Sequence, residues 1–195
     1  MPSDRVRFLL KFLRDPLHLG AVSPASRRLG DVVGAATREA ARNGFDARPL
    51  RKNGSVRLAP AASTATIVEL GAGTGSLSQY ISGMNPILVE RNAEWAALLR
   101  ERFPQLEVRA ECALQTLASI DAPVGVVSSI PLINNPQADE IRKLLTRKYR
   151  DGLIRFCVLY TYGWSNPLAG VPFRQSRREH FVARSLPPAS VWVYR

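Results

Sequence analysis

The chain is 195 residues long, which is enough for one α/β domain with a hydrophobic core of its own. It carries 27 lysines and arginines against 16 aspartates and glutamates, a formal net charge of +11, which favours an anionic partner such as a membrane surface or a nucleic acid. No apolar run approaches the roughly 18 residues that span a bilayer. The two histidines and two cysteines are too scattered to predict a disulfide or a metal site, and a reduced, cytoplasmic setting is expected.

The first predicted element is a basic amphipathic helix over residues 3–15, which Pro16 ends. Phe8 and Phe12 widen its apolar face. Its basic residues are Arg5, Arg7, Lys11 and Arg14. A basic helix with leucine and phenylalanine on one side is typical of segments that lie in a membrane interface. An ordinary helix that packs on its own domain explains the same pattern, and the helical wheel does not separate the two.

The region after this helix is predicted to hold a second helix and then a long loop. The helix covers about residues 26–41. Gly44–Ser63 is polar, basic and broken by proline and glycine, which indicates a flexible surface loop. We therefore expect one domain in three parts: residues 1–43 with the two N-terminal helices, the second of them as a lid, residues 44–64 as a loop, and residues 65–195 as the core.

The core alternates between strands and helices along the chain. The predicted strands cover residues 66–70, 86–90, 106–109, 124–128, 153–162 and 190–194. The predicted helices cover residues 76–82, 92–103 and 136–149. This alternation predicts a doubly wound, mostly parallel α/β sheet of the Rossmann-like type, with ligands at the carboxyl ends of its strands.

The most informative stretch joins the first strand of this core to its helix and reads E-L-G-A-G-T-G from Glu69 to Gly75. Glycine lets the backbone turn sharply and approach a ligand closely, and the helix N-terminus that follows suits an anionic group. The spacing differs from the G-x-G-x-x-G of dinucleotide sites. Glu90 ends the next strand, 19 residues after Gly71, where a carboxylate can accept both hydroxyls of a ribose. Together these features resemble the cofactor site of class I S-adenosylmethionine-dependent methyltransferases.

That resemblance implies a set of cofactor contacts at the carboxyl ends of the strands. Glu69 would shape the glycine turn, whose backbone would face the methionyl part of the cofactor. Glu90 would bind the ribose and Glu111 would lie near the adenine. The expected cofactor-binding residues are Glu69, Gly71, Ala72, Gly73, Gly75, Glu90, Arg91, Glu111, Cys112, Ser129 and Ile130.

Further segments resemble one family, the bacterial phospholipid N-methyltransferases. The segments are Gly20–Ser26, similar to that family's GA(V/I)xPSS; Ser128–Pro136, similar to SxxPLLNFP; Tyr162–Pro167, similar to SYGPxSP; and Arg184–Tyr194, similar to RNLPPAxVWxY. The resemblance covers roughly residues 4–40 and 65–195. The chain departs from the family at Ala110-Glu111-Cys112 (for GDA), at Asn135 (for an aromatic residue), at Trp164 (for a proline) and in the longer loop Gly44–Ser63.

The family resemblance implies stepwise methylation of phosphatidylethanolamine to phosphatidylcholine, with S-adenosylmethionine as the methyl donor and S-adenosylhomocysteine as a product. It implies peripheral binding to the inner face of the bacterial cell membrane through the N-terminal helix, with no protein partner. Tyr162 is the expected catalytic residue, facing the amine by a hydrogen bond or a cation–π contact, unless it is only a packed aromatic at the rim. The lipid phosphate would meet Arg177, Arg178 or Arg184, whereas His180 reads as a surface residue.

Three alternatives remain open at the level of sequence. The acceptor could be another amine lipid, such as one that contains ornithine. Ser129-Ile130-Pro131-Leu132 faintly resembles the N-(I/L)-P-(Y/F) of rRNA adenine dimethylases, and the net charge suits RNA. Leu132, however, cannot stack on a base, and Ser129 lacks the amide of that motif. A basic binding module without activity is the third alternative, but it would not require Glu69, the three glycines and Glu90 to occur together.

Overall fold

The computed structural model describes residues 26–44, 50–52, 55–57, 66–132, 135–183 and 188–195. The predicted basic helix with Arg5, Arg7, Phe8, Lys11, Phe12 and Arg14 lies outside the described residues, and so does Arg184. Among the described helices, none combines the length and the apolar composition that crossing a bilayer requires.

The described elements follow one another along the chain as five helices and nine strands. The helices are α1 (Arg27–Gly44), α2 (Ser78–Ile81), α3 (Ala93–Arg102), α4 (Ala113–Ser119) and α5 (Ala138–Arg150), and a 3₁₀ turn at Ser82–Met84 extends α2. The strands are β1 (Leu50–Lys52), β2 (Ser55–Arg57), β3 (Ile67–Leu70), β4 (Ile87–Val89), β5 (Val108–Arg109), β6 (Val124–Ser128), β7 (Ile154–Tyr162), β8 (Ser176–Val182) and β9 (Ala189–Tyr194).

Seven of these strands form one sheet in the order β5-β4-β3-β6-β7-β9-β8. Strands β3 to β7 pair in parallel, and β9 pairs antiparallel with both β7 and β8. The predicted class, a mostly parallel α/β sheet, is therefore confirmed. The chain order reverses between β3 and β6, and in open α/β sheets ligands bind in the crevice at such a point, beyond the carboxyl ends of the strands.

Helices cover both faces of this sheet. On the face that we call the α1 face, side chains of β6, β7 and β9 pack against α1 and α2. On the opposite face, which we call the α5 face, the core is formed with α4 and α5. Residues of β3 alternate between the two, because successive side chains of a strand point to opposite faces. Val68 and Leu70 lie in the α5-face core, so Glu69 between them lies on the α1 face.

Helix α1 joins the core through a stripe of small and branched apolar residues. Leu29, Val33 and Ala40 are fully buried at helical spacing, which is the pattern of an amphipathic helix packed by one face. A Cβ atom at Gly30 would collide with the ring of Tyr80, so the glycine lets α1 lie directly against α2. This contact holds α1 beside the helix that follows the glycine turn.

The structure differs from the sequence expectations in three places. Gly44–Ser63 is not entirely loop, because β1 and β2 pair as an antiparallel hairpin within it. Asn53-Gly54, a pair favoured in two-residue hairpin turns, is the sequence signal for this hairpin. The other two differences are the short helix α4 and the strand β8, which the sequence pattern does not predict. Strand β8 has polar residues on both faces because it lies at the edge of the sheet, so it shows no alternation.

Candidate cofactor and acceptor site

The glycine turn after β3 uses its three glycines in three different ways. All three have positive φ, +73° at Gly71, +57° at Gly73 and +81° at Gly75, which other residues adopt only under strain. A Cβ atom at Gly71 would lie 2.6 Å from Cγ1 of Ile130, so this glycine admits the segment after β6. A Cβ atom at Gly75 would lie 2.6 Å from the ring of Phe103, so this glycine admits α3. At Gly73 no described atom lies within 4 Å of that position, which leaves an open surface for a ligand.

Backbone hydrogen bonds hold the turn in place. The N–H groups of Gly71 and Ala72 both donate to the carbonyl of Val89, at 2.9 and 3.0 Å, and tie the turn to the end of β4. Ala72 is buried in a small apolar cluster with α3. Arg102 of α3 donates to the carbonyl of Thr74 at 2.9 Å. The turn is therefore rigid before any ligand binds.

Glu90 is buried next to Gly73, and each of its carboxylate oxygens accepts one backbone N–H. Its Oε2 accepts the N–H of Gly73 and its Oε1 accepts the N–H of Asn92, both at 2.9 Å, and the residue is only 6% exposed. Each carboxylate oxygen has a second lone pair, so both remain able to accept a ribose hydroxyl. Arg91, the next residue, is exposed.

Glu69 is also buried, but its carboxylate differs from that of Glu90 in its hydrogen bonds. Its side chain is fully buried on the α1 face, and within the described part of the chain neither carboxylate oxygen has a hydrogen-bond partner. Burial raises the pKa of its carboxyl to about 8, an effect that the neighbouring Ser78 hydroxyl opposes and the Glu90 carboxylate reinforces. Ser78 is also fully buried, close enough to affect Glu69 but without hydrogen-bond geometry.

Two tyrosines of β7 lie on the same face as Glu69. Tyr160 is buried and Tyr162 is half-buried, and their rings meet edge to face at 5.9 Å between centroids. Burial raises the pKa of Tyr160 well above its ordinary value, with further increases from Tyr162 and Glu69, while the Ser129 hydroxyl lowers it. Ser129 is buried beside them and its N–H donates to the carbonyl of Leu70 at 3.0 Å. The α1 face therefore has a cluster of buried polar side chains next to the glycine turn.

Glu111 and Cys112 lie at the start of α4, where β5 ends. The Thr116 hydroxyl donates to Oε1 of Glu111 at 2.9 Å, and the guanidinium of Arg109 lies 4.0 Å from the same oxygen. The side-chain oxygen of Gln115 accepts the N–H of Cys112 at 3.2 Å. These contacts hold Glu111 and Cys112 at the same end of the sheet as Glu90. Helix α4, which the sequence pattern does not predict, determines their positions.

The structure brings most of the expected cofactor residues to one end of the sheet, but it places Arg177 elsewhere. Arg177 of β8 pairs with Val193 of β9, which pairs with Val158 in the middle of β7. The guanidinium of Arg177 lies 3.4 Å from the carboxylate of Glu179. Arg177 is thus about four residues, roughly 13 Å, away from Tyr162 along the strand direction. The sequence analysis also missed Ser78 and Tyr160. Tyr160 could have been found, because it precedes Tyr162 by two residues and must share its face.

The residues of this end of the sheet fit S-adenosylmethionine. The buried carboxyl of Glu69, which has no hydrogen-bond partner among the described residues, offers a partner for a cationic group, and S-adenosylmethionine carries both an ammonium and a sulfonium. The open face of Gly73 admits a ligand against the backbone, and the Glu90 oxygens are placed for a diol. A dinucleotide would bring a pyrophosphate, which the two buried carboxyl groups disfavour.

Comparisons with known proteins agree with this description of the fold. An ornithine lipid N-methyltransferase from Singulisphaera acidiphila is 29% identical over 163 residues, which cover 72% of this chain and 81% of the relative. The structure superimposes on the bifunctional kinase-methyltransferase WbdD with a TM-score of 0.58 and 14% identity, over 86% of this chain. The chain spans 40% of the length of WbdD.

A second solved structure matches over nearly its whole length. It is a precorrin-6y C5,15-methyltransferase from Geobacter metallireducens, with a TM-score of 0.57, 12% identity and coverage of 90% of this chain and 92% of that one. No protein-family model matches the chain. The fold is that of class I S-adenosylmethionine-dependent methyltransferases, and the relative from Singulisphaera acidiphila is named as an ornithine lipid N-methyltransferase.

Proposed function

We propose that the protein is an S-adenosylmethionine-dependent methyltransferase that methylates the amine of a membrane lipid. The methyltransferase part rests on one observation: on this fold the open turn at Gly73 lies beside Glu90 and beside Glu69, which has no hydrogen-bond partner in the described part of the chain. The lipid part is supported by the family resemblance of four segments and by the 29% identical ornithine lipid N-methyltransferase. The acceptor predicted from the sequence is phosphatidylethanolamine, and the named relative favours ornithine lipid as a second candidate.

In this proposal the cofactor lies across the carboxyl end of the sheet. Glu90 binds the ribose hydroxyls, Glu111 lies near the adenine, and Glu69 binds the positive charge of the methionyl part. When bound, S-adenosylmethionine supplies a methyl group that its sulfonium makes electrophilic. The work of this chain is to hold the acceptor nitrogen in line with that group, and positioning of this kind supplies much of the rate enhancement in bimolecular reactions.

The proposed place of the acceptor amine is next to the two tyrosines on the α1 face, Tyr160 and Tyr162. An amine is protonated in water at neutral pH, and burial among apolar side chains lowers its pKa, so the nucleophilic neutral form becomes accessible. Tyr162, half-buried at the end of β7, can accept or donate a hydrogen bond at the nitrogen, and its ring can stabilise the methylated, cationic product. Tyr160 contacts Tyr162 edge to face and holds its ring in place.

The proposed setting is the inner face of the cell membrane, since the acceptor is a lipid. The predicted basic helix at residues 3–15 would supply part of the membrane contact, and the net charge of +11 favours an anionic surface. The same charge would suit RNA, which is why an RNA substrate belongs in the test.

The test is transfer of labelled methyl from S-adenosylmethionine to three acceptors: anionic vesicles with phosphatidylethanolamine, the same vesicles with ornithine lipid, and ribosomal RNA. We expect label in the lipid fraction, and chromatography would then count the methyl groups. Glu90→Ala should lower transfer roughly a hundredfold, because it removes two charge-assisted hydrogen bonds to the ribose. Glu101→Ala is the matched control, since Glu101 is an exposed carboxylate on α3.

The outcomes separate the candidates. Label in only one of the two lipids identifies the acceptor head group. Label in RNA and in neither lipid would reject the lipid proposal, and absence of S-adenosylmethionine binding in a calorimeter would reject the methyltransferase proposal altogether.

A further inference from the structure

An exposed aromatic stack lies just beyond Tyr162. Trp164 is 62% exposed, and its ring stacks on Phe181 of β8 with 4.1 Å between centroids and an interplanar angle of 21°. The guanidinium carbon of Arg178, also on β8, lies 4.8 Å from the centroid of the tryptophan ring. We call these three residues the Trp164 surface. A tryptophan held this open to solvent is unusual, since large aromatic side chains are normally mostly buried.

The strand register places this surface at the carboxyl end of the sheet. Val182 pairs with Ala189, which pairs with Tyr162, so β8 and β7 end at the same level. Gly163 turns the chain with a φ of +85°, and Trp164 follows two residues after Tyr162. Two residues span at most about 7 Å. The tryptophan therefore lies at the same end of the molecule as the proposed place of the acceptor amine.

This position has a geometric consequence if the acceptor is a lipid. The acceptor amine stays within the head-group layer of a bilayer, which is about 6 Å thick on each side. When the amine reaches Tyr162, a side chain only about 7 Å along the chain must lie in or beside the same layer. Tryptophan is enriched at this depth in membranes, since its ring is apolar and its N–H polar.

The exposed arginines of β8 also favour a membrane surface as the partner. Arg178 and Arg177 are both exposed on β8, and Glu179, which contacts Arg177, is the acidic residue between them and Phe181. The guanidinium carbon of Arg178 lies 4.8 Å from the centroid of the tryptophan ring, and a guanidinium that contacts an aromatic ring still has N–H donors for a phosphate oxygen. An anionic lipid surface offers both an apolar layer for the indole and phosphates for the guanidinium.

We propose that the Trp164 surface docks on an anionic lipid bilayer, with the Trp164 indole among the head groups and Arg178 bound to a lipid phosphate. The proposal rests on the proposed function, because the lipid acceptor is what requires this end of the sheet to face a membrane. It assigns the phosphate contact to Arg178, whose guanidinium lies against the Trp164 ring, and not to Arg177, whose guanidinium lies 3.4 Å from Glu179. An RNA would also suit a stacked tryptophan and an arginine, and it forms the competing outcome of the test.

The experiment measures sedimentation of the full chain with vesicles of phosphatidylglycerol and phosphatidylethanolamine. Trp164→Ala should weaken binding about tenfold, because part of a large aromatic surface no longer enters the interface. Arg178→Gln should weaken it about fivefold, the effect of roughly one basic residue near an anionic surface. Arg147→Gln is the matched control, since it removes the same charge from an exposed position near the end of α5 and should change binding less than about twofold.

A local readout complements the binding measurement. Brominated lipids should quench part of the tryptophan emission of the wild type, and Trp164→Phe, which keeps an aromatic ring on Phe181, should lose that quenched part. Thermal unfolding of each variant shows whether it is folded, and Arg178→Gln carries the test if Trp164→Ala is not.

Equal vesicle binding by the wild type, Trp164→Ala and Arg178→Gln would overturn the inference, and so would loss of RNA binding in these variants with vesicle binding unchanged. Methyl transfer to lipid by the wild type separates this failure from failure of the proposed function. If label enters lipid while the variants bind vesicles normally, only the docking surface is wrong.

Discussion

Glu69 and Glu90 lie at the same end of the sheet, both buried, and they differ completely in their hydrogen bonds. Glu90 accepts two backbone N–H groups at 2.9 Å, from Gly73 and Asn92. Glu69, at the end of the neighbouring strand, has no hydrogen-bond partner among the described residues. One carboxyl is part of the framework of the turn, and the other is held without a partner at a cost in folding free energy.

The two carboxyl groups therefore serve different purposes at the same end of the sheet: Glu90 stabilises the glycine turn, and Glu69 keeps its hydrogen-bonding capacity for a ligand. Glu90 needs its charge to hold the turn, and two backbone dipoles stabilise that charge. Burial raises the pKa of Glu69 to about 8, and a cationic group beside this carboxyl would lower its pKa and favour the ionised form. Sites that bind ligands commonly keep such local instability, which the rest of the fold offsets.

The largest effect that follows from this comparison concerns the pH dependence of stability. The folded-state pKa of Glu69, about 8, lies above its ordinary value of 4.5, so the proton stabilises the folded protein. That stabilisation is complete below pH 4.5 and is lost as the pH rises to about 8. The free energy of unfolding should therefore fall by on the order of 1.4 kcal/mol per pH unit in this window.

Glu69→Gln removes this contribution to the slope. Its unfolding free energy, measured by urea denaturation at several pH values without ligand, should exceed that of the wild type increasingly as the pH rises. Glu101→Gln, at an exposed position, should keep the wild-type slope. A wild-type slope that is unchanged in Glu69→Gln would mean that Glu69 is already paired in solution.

The second effect is expected at Glu90, where removal of the carboxylate leaves two backbone N–H groups without acceptors. Glu90→Ala should lower the free energy of unfolding by about 2 kcal/mol, because each orphaned donor costs roughly 1 kcal/mol or more. Urea denaturation of the two proteins at pH 7 measures this loss, and a stabilised Glu90→Ala would contradict the framework role.

The contrast between these two residues also shows what the sequence could and could not predict. Glu90 and the glycines were predicted because strand ends and turns are local features, and local patterns fix which backbone groups meet. The burial of Glu69 depends on how α1 and α2 pack on its face of the sheet, and a local pattern does not show that packing. Likewise, the sequence could not predict the position of Arg177. Its distance from Tyr162 follows from the pairing of β8 with β9, and β8 was not predicted.

The third effect compares two glycines in one turn. Gly71→Ala and Gly73→Ala both place an alanine in a left-handed backbone conformation, which lowers the free energy of unfolding by about 1 kcal/mol. Gly71→Ala also pushes a methyl group against Ile130, so it should lose roughly 2–3 kcal/mol in total. Gly73→Ala meets no described atom and should lose only the first part.

For cofactor binding we expect the opposite order, with the larger loss in Gly73→Ala and the smaller loss in Gly71→Ala. The Gly73→Ala methyl group enters the surface where S-adenosylmethionine is proposed to lie, so this milder variant should lose most of its affinity in calorimetry. If Gly73→Ala bound S-adenosylmethionine as the wild type does, the ligand would not approach the turn at this residue.

The smallest effect tests whether the turn must be rigid before the ligand arrives. Arg102 donates to the Thr74 carbonyl at 2.9 Å, and Arg100, on the same helix, donates to the Val108 carbonyl at 3.0 Å. Both arginines are exposed, so Arg102→Ala and Arg100→Ala should each cost at most about 1 kcal/mol of stability. Only Arg102→Ala loosens the glycine turn, and it should weaken S-adenosylmethionine binding a few-fold, since the ligand must then order the backbone itself. Calorimetric titration of the two variants decides the matter. Equal affinities would show that the bonds from Gly71 and Ala72 to Val89 suffice to hold the turn.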